Sequence, residues 1–248
     1  MSSRKGIVGK FTKWLSAPWF RHSNMFNYFN KITSYTQREI LVKNILSFVA
    51  VNKVEGDYLE FGVWEGESFT NAFHFAKKHK RLRDMRYYAF DSFEGLPTSE
   101  DVDLKMGSME IHNWHKGKYS SGGVKKFLKN VKKAKMPLKK VTCVPGFYDQ
   151  SLNKKTKQKL TLKKAAFIYV DCDLYESTVP VMNFITDYVT EGTVIMFDDW
   201  FNYRGNPNKG EQKAFYEWLK RNPHIEAMEF QKVGGKYNSF VLFPNKKK

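Results

Sequence analysis

Cysteine is scarce in this chain, and it contains no long apolar segment. The 248 residues include only two cysteines, Cys143 and Cys172. They match no metal-ligand spacing and cannot build the disulfide framework of a small secreted domain. No apolar run approaches the roughly 20 residues that cross a bilayer, and residues 1–21 lack the uninterrupted apolar segment of a signal peptide. We therefore expect a cytoplasmic protein in a reducing compartment.

Acidic residues are few relative to basic ones. Lysine and arginine number 42 against 25 aspartate and glutamate residues, which gives a net charge of +17. Such a balance favours acidic partners, such as nucleic acid or an anionic lipid surface. In residues 124–135, however, the lysines surround one apolar stripe, formed by Val124, Phe127, Leu128 and Val131. This pattern is typical of a solvated helix face, and nucleic acid is not the partner that we favour.

Residues 1–33 form a basic segment with amphipathic character. Its apolar residues at helical spacing are Ile7, Val8, Phe11, Trp14 and Leu15. Such a helix can lie on an anionic membrane surface, or it can dock on its own protein or on a dimer partner. We favour docking and keep peripheral membrane contact through residues 1–22 as the alternative. Residues 34–248 show no repeat and no second boundary, so we predict a single α/β domain there.

Two acidic clusters follow two short apolar runs, residues 165–170 and residues 193–197, with helical spacing between the runs. The clusters consist of Asp171 and Asp173, and of Asp198 and Asp199. Strand, helix and strand predict neighbouring parallel strands, with both clusters at the carboxyl edge where open α/β sheets bind ligands. Carboxylates this close repel one another unless a cation or proton intervenes, so we predict a divalent metal site. The alternative is that these residues cap helices and turns.

A glycine-containing turn follows another predicted strand. Residues 58–61 lead into the turn between Gly62 and Gly66, and a helical pattern follows it. Strand, turn and helix form a nucleotide-binding opening, but carboxylates at Glu65 and Glu67 would repel a phosphate. A cationic ligand without phosphate, such as S-adenosylmethionine, suits this turn better. Asp91, which ends the next predicted strand, is placed to bond ribose hydroxyls.

Residues 94–123 form a long polar segment. Such loops are uncommon in compact domains unless they are functional, and we predict that this one is part of a substrate lid. His112 and His115 lie within it and are minor acid–base candidates, although lone loop histidines are more often surface residues.

Five motifs occur in the order seen in the macrocin, or TylF-type, O-methyltransferases, and the chain resembles this family from about residue 35 to residue 243. The motifs are residues 60–68, DSFEGLP at 91–97, residues 146–152, DCDLYEST at 171–178 and DDW at 198–200. The resemblance implies a Rossmann-like class I methyltransferase fold: a seven-stranded, mostly parallel sheet with an antiparallel last strand and helices on both faces. It also implies Mg²⁺-dependent methyl transfer from S-adenosylmethionine to a hydroxyl of a sugar or glycan-type acceptor, by a homo-oligomer such as a dimer.

The resemblance also implies roles for individual residues. The expected cofactor-binding residues are Glu60, Gly62, Val63, Trp64, Gly66, Ser68, Asp91, Ser92, Gly146 and Phe147. The expected metal ligands are Asp171, Asp198 and Asp199. Asp171 and Asp173 are the candidate general bases, because related catechol methyltransferases carry a lysine where this chain has Leu174 and Tyr175. Asp173 could instead brace its loop by bonding Thr178 or backbone amides.

Two other functions compete with this interpretation. The basic charge would suit a methyltransferase that acts on RNA or on another small molecule, although the chain lacks the N/D-P-P-Y/F type motif of base methylators. A non-catalytic scaffold with this fold could instead use the amphipathic N-terminus to associate with membranes.

Overall fold

The computed structural model describes residues 24–96 and 117–245, with side chains in the first helix from residue 37 onward. The chain divides into two compact units after Ile40. The described part of the first unit is the beginning of helix α1 (Asn24–Val51), and the sheet belongs to the second unit. Residues 1–22, for which we predict docking or membrane contact, lie outside the described residues. So does most of the predicted lid, including His112 and His115.

The second unit alternates strands and helices. Its strands are β1 (Asp57–Phe61), β2 (Tyr87–Asp91), β3 (Val141–Pro145), β4 (Ala165–Val170), β5 (Val189–Phe197), β6 (Ile225–Val233) and β7 (Tyr237–Pro244). The helices between them are α2 (Glu67–Ala76), α3 (Val124–Lys133), α4 (Tyr148–Ser151), α5 (Lys154–Lys159), α6 (Tyr175–Ile185) and α7 (Gly210–Arg221).

The described strands form one sheet of seven, in the order β3-β2-β1-β4-β5-β7-β6. Strands β1 to β5 pair in parallel, and β7 runs antiparallel to both β5 and β6. The predicted fold class is therefore confirmed, including the reversed last strand. The order reverses between β1 and β4, and such a switch point places a crevice at the carboxyl ends of the strands.

Helices cover both faces of this sheet, which is why its central strands read as continuous apolar runs. All six residues of β4 are buried. Phe167 and Tyr169 pack in the cluster that contains helices α2 and α3, whereas Ile168 and Val170 pack in the cluster that contains α6 and α7. In the described part of the chain, no helix combines the length and apolarity needed to span a membrane.

Element ends differ from the sequence-based expectation around β5. The apolar run predicts a strand over residues 193–197, but β5 already begins at Val189. Gly192, which precedes that run within the strand, has φ +85°. The pairing with β4 also shifts register there, since Ala165 lies opposite Val189 and Phe167 lies opposite Val194. The glycine therefore marks an irregularity within the strand, as glycines in strands often do.

Candidate active site

The two acidic clusters meet at the carboxyl edge of the sheet. Strands β4 and β5 are parallel neighbours, so the residues that follow them emerge side by side. One carboxylate oxygen each of Asp171, Asp173 and Asp199 lies within 4.8 Å of the others. Asp171 and Asp173 are partly exposed and Asp199 is buried. The Oδ2 atom of Asp199 is buried and has no hydrogen-bond partner, so it can be satisfied by a cation or by a proton shared with Asp173.

Asp198 faces other partners. The Tyr169 hydroxyl donates to its Oδ1 atom, and Lys236 Nζ lies 2.6 Å from its Oδ2 atom. The same ammonium lies 2.8 Å from Asp199 Oδ1. The predicted metal ligands Asp171, Asp198 and Asp199 thus lie in one region, and the set remains a prediction. The structure adds Asp173 to the group whose oxygens lie close together.

The described contacts of Asp173 do not include the Thr178 bond that we considered from the sequence. The Thr178 hydroxyl donates to the carbonyl of Leu174 instead, at 2.8 Å. Asp173 has φ 58°, and its carbonyl accepts a hydrogen bond from the Tyr203 hydroxyl at 3.1 Å. This contact holds the loop, while the Asp173 carboxylate lies close to those of Asp171 and Asp199. The four side chains of Asp171, Asp173, Asp198 and Asp199 are called the acidic group below.

Sequence reasoning missed two charged residues of this site, Glu211 and Lys236. Glu211 is 1% exposed and accepts hydrogen bonds from the backbone N–H groups of Cys172 (3.4 Å) and Asp199 (3.0 Å). It therefore bridges the loops that follow β4 and β5. A glutamate in the first helical turn resembles an ordinary cap, and one lysine among 42 basic residues carries no signal, so neither stood out.

The region is strongly acidic, because one ammonium, that of Lys236, faces five carboxylates there, those of Asp171, Asp173, Asp198, Asp199 and Glu211. Burial, followed by the charges of Asp198 and Asp199, raises the pKa of Asp171 well above its usual range. Burial and the neighbouring Asp199 raise the pKa of Asp173 in the same way. Burial and the nearby aspartates also raise the pKa of Glu211. Burial alone would lower the pKa of Lys236, but the carboxylates outweigh it and raise that pKa, so the lysine stays charged.

These shifts predict that the metal-free protein loses stability as the pH rises. The folded-state pKa values of Asp171, Asp173 and Glu211 lie above their unfolded values of about 4, so the folded state binds more protons. Their stabilising contribution is complete below pH 4 and is lost as the pH rises through the folded-state pKa values. We expect the free energy of unfolding of metal-depleted protein to fall by about 1–3 kcal/mol between pH 5.5 and pH 8. Urea denaturation at both pH values measures it, and a constant or rising stability would contradict the prediction.

The glycine turn after β1 lies against the loop that follows β4 and carries Asp171. A Cβ atom at Gly62, where φ is +89°, would come within 1.9 Å of the Asp171 carbonyl oxygen. Val63 and Trp64, which follow Gly62, both donate their backbone N–H groups to Asp91 Oδ2, at 2.8 and 3.0 Å. Gly66 has φ +90° and is the N-cap residue of α2, without a side-chain cap. The turn is thereby held between the ends of β2 and β4.

Asp91 connects the turns that follow β1, β2 and β3 by hydrogen bonds. Its Oδ1 atom accepts from the Phe93 N–H at 2.6 Å, in addition to the two bonds to Oδ2. Burial raises the pKa of Asp91, while these backbone hydrogen bonds oppose the rise. Its carbonyl accepts from the Gly146 N–H at 3.0 Å, which brings the turn after β3 to the same edge.

The remaining predicted cofactor residues lie on the same elements as Asp91 or on neighbouring ones. Glu60 is fully buried and accepts hydrogen bonds from the hydroxyls of Tyr58 (2.5 Å) and Ser68. The Ser92 hydroxyl donates to the Gly95 carbonyl at 2.8 Å, and Phe147 precedes α4. The structure therefore brings the predicted residues to neighbouring strand ends, although their contacts with a cofactor remain a prediction.

Two exposed aromatic side chains accompany the turn. Trp64 is 43% exposed and Tyr119 is 41% exposed, and their ring centroids lie 5.8 Å apart in an edge-on arrangement. Burial raises the pKa of Tyr119, followed by the charges of Asp173 and Asp199, so this residue lies within electrostatic range of the acidic group. It follows the segment 97–116, whose flanking residues Leu96 and Lys118 are hydrogen bonded at 2.8 Å.

The residues fit both groups that the motifs imply. Converging carboxylate oxygens, one of them buried without a donor, suit a hard divalent cation such as Mg²⁺. The turn after β1 is flanked by the carboxylates of Glu65 and Glu67, and the Lys126 ammonium pairs with Glu65 at the exposed side, at 3.1 Å. Carboxylates beside the turn suit a positively charged ligand better than a phosphate.

Comparison with known proteins agrees with this geometry. The macrocin-O-methyltransferase (TylF) family matches residues 35–215. The mycinamicin III 3''-O-methyltransferase of Micromonospora griseorubida is 26% identical over 148 residues, which cover 59% of this chain and 56% of that relative. The demethyldecarbamoylnovobiocin O-methyltransferase of Streptomyces niveus is 25% identical over 160 residues, covering 64% of this chain and 58% of that relative. The matched part thus spans less than three fifths of each relative's length.

A solved structure extends the likeness over almost the whole chain. A calicheamicin methyltransferase superposes with a TM-score of 0.67 at 19% identity, covering 97% of this chain and 93% of that protein. At this level of identity the similarity concerns the fold.

Proposed function

Because the chain belongs to the macrocin O-methyltransferase (TylF) family, we propose that it transfers the methyl group of S-adenosylmethionine to a hydroxyl of a sugar-type acceptor, with Mg²⁺. One observation carries the proposal: the glycine turn after β1 packs directly on the loop of the acidic group, Gly62 against Asp171. A ligand in the turn and an acceptor at the carboxylates would therefore be neighbours, as methyl transfer requires.

The cofactor would lie along the ends of β1, β2 and β3. S-adenosylmethionine supplies an electrophilic methyl group on a sulfonium. Asp91 is positioned by three backbone N–H groups, and the remaining acceptor capacity of its oxygens suits ribose hydroxyls. Glu60 and Ser68, which bond each other, would shape the end that receives the methionine part.

The acidic group would hold the metal and remove the proton of the acceptor. Mg²⁺, when bound, supplies polarisation of a hydroxyl oxygen, and Asp171, Asp198 and Asp199 would hold it, with Asp173 adjacent. A carboxylate whose pKa is raised is a better base near neutral pH. Asp171 and Asp173 both meet this condition and are the proposed proton acceptors. The Tyr203 contact to the Asp173 carbonyl keeps that loop in place.

The acceptor would lie against the exposed rings of Trp64 and Tyr119. Aromatic surfaces with a few convergent polar groups are typical of small-molecule sites, and the apolar faces of sugars suit such rings. The two relatives named above are, by name, O-methyltransferases of mycinamicin III and of demethyldecarbamoylnovobiocin, which supports a natural-product acceptor.

A thermal-shift titration with S-adenosylhomocysteine tests the proposal. At 100 times its dissociation constant, a ligand stabilises by about 2.7 kcal/mol, or about 5–10 °C for a protein of this size. We expect this shift with the cofactor product, a further one with Mg²⁺, and none with NAD⁺ as the phosphate-bearing control.

The other outcomes of this titration are also informative. A shift with the cofactor product but no effect of Mg²⁺ or of a chelator would refute the metal and leave the carboxylates as proton acceptors. If S-adenosylhomocysteine gave no shift, the transferase would be excluded and the non-catalytic scaffold would replace it.

A further inference from the structure

A lysine ammonium lies between two neighbouring acidic residues of the site. Lys236 Nζ is 2.6 Å from Asp198 Oδ2 and 2.8 Å from Asp199 Oδ1. The two carboxylate side chains are only 4% and 2% exposed, whereas the lysine side chain is 41% exposed. The alkyl chain thus comes in from the surface, and its charge faces two buried partners.

The antiparallel end of the sheet places this lysine. Lys236 ends the turn between β6 and β7, which Gly234 opens with φ +61°. β7 pairs with β5, with Asn238 opposite Phe197, the residue before Asp198. The Lys236 carbonyl also accepts a hydrogen bond from the Phe201 N–H at 3.4 Å. The position of the ammonium is therefore set by strand pairing.

A divalent cation would need the same carboxylates. Buried carboxylates are costly unless an opposite charge pairs with them, and Lys236 supplies that charge to Asp198 and Asp199. A metal ion held by these residues would lie beside the ammonium, and like charges in a poorly solvated region repel strongly. The two cations therefore oppose each other at this site.

We propose that Lys236 is an internal counter-cation that holds Asp198 and Asp199 in the metal-free protein and competes with a divalent cation for them. The inference rests on the proposed function, since it presupposes the metal. It adds a residue that sets how tightly the site binds the ion and how stable the site is without it.

The test compares three variants of the full chain by calorimetric titration with Mn²⁺ and by melting in chelator. Lys236→Met keeps the alkyl chain and removes the charge, whereas Lys236→Arg keeps the charge. Lys232→Met is the matched control, because Lys232 lies on the same hairpin and pairs with the exposed Glu229 at 2.8 Å. We expect Lys236→Met to bind Mn²⁺ at least about tenfold more tightly and to melt at least about 5 °C lower in chelator. The two other variants should stay within about threefold of the parent affinity.

Three other results would overturn the inference. Equal or weaker Mn²⁺ binding by Lys236→Met would show that the ammonium does not compete. Tighter binding by Lys236→Arg would show that its charge is not the cause. If the parent chain and Lys236→Met both bind no Mn²⁺, the competition is refuted together with the metal. A retained shift with S-adenosylhomocysteine would then show that the transferase part of the proposed function survives. If Lys236→Met unfolds in chelator but is recovered by Mn²⁺, both halves of the inference are supported.

Discussion

Replacing Asp171 by asparagine is expected to lower methyl transfer about 10²–10³-fold while the protein stays folded. Asp171 belongs both to the proposed metal ligands and to the proposed proton acceptors, and losing one preorganised electrostatic group at a reacting centre has an effect of this size. Asparagine has nearly the same shape, and the Asp171 N–H keeps its bond to the Phe61 carbonyl. The measurement is kcat/KM with S-adenosylmethionine at saturating Mg²⁺.

A stability measurement separates this effect from unfolding. Burial, and then repulsion by Asp198, Asp199 and Asp173, raises the pKa of Asp171, so a neutral asparagine should relieve both costs. We expect the variant to be more stable than the parent in chelator at pH 8, by about 1 kcal/mol. Asp187→Asn is the matched control, since Asp187 is 66% exposed and pairs with Lys157, and it should leave turnover unchanged. Parent-like turnover of Asp171→Asn in excess Mg²⁺ would show that Asp171 has neither role.

Replacing Gly62 by alanine is expected to destabilise the protein by about 4 kcal/mol or more, and to leave little soluble protein. Two costs add at this position. Its φ of +89° disfavours a side chain, and the new Cβ atom would lie 1.9 Å from the Asp171 carbonyl oxygen, a backbone atom that cannot rotate away. The ends of β1 and β4 would have to separate, which breaks the contact between the turn and the loop that follows β4. Urea denaturation measures the change.

Gly123→Ala provides the control for backbone strain. Gly123 has φ +94°, yet no atom lies within 4 Å of a Cβ built on it. The alanine should therefore meet no clash and should cost about 1–3 kcal/mol, the strain of a side chain at φ +94° and ψ 162°. The difference between the two variants measures the close approach itself. Equal effects would show that the gap between Gly62 and Asp171 is not held rigidly.

The sequence by itself determined the layers of the fold and the edge at which the site lies. The apolar runs before Asp171 and Asp198 are strands β4 and β5, and their parallel pairing brings both acidic clusters to one edge. Asp91 and the turn at Gly62 were placed in the same way, from strands followed by glycine or acidic residues. These features are local, because a strand and the residue that ends it are consecutive in the sequence.

Tertiary structure decided how the acidic side chains divide among partners. Asp198 and Asp199 are adjacent in the chain, yet Tyr169 bonds the first, and an oxygen of the second lies close to those of Asp171 and Asp173. Glu211 bridges the loops that follow β4 and β5 from helix α7, and Lys236 reaches Asp198 and Asp199 from the β6–β7 turn. These contacts depend on the register of β7 against β5 and on the packing of α7. Such non-local geometry leaves no periodic trace in the sequence, and in a chain rich in lysine the charge of one residue does not reveal its partner.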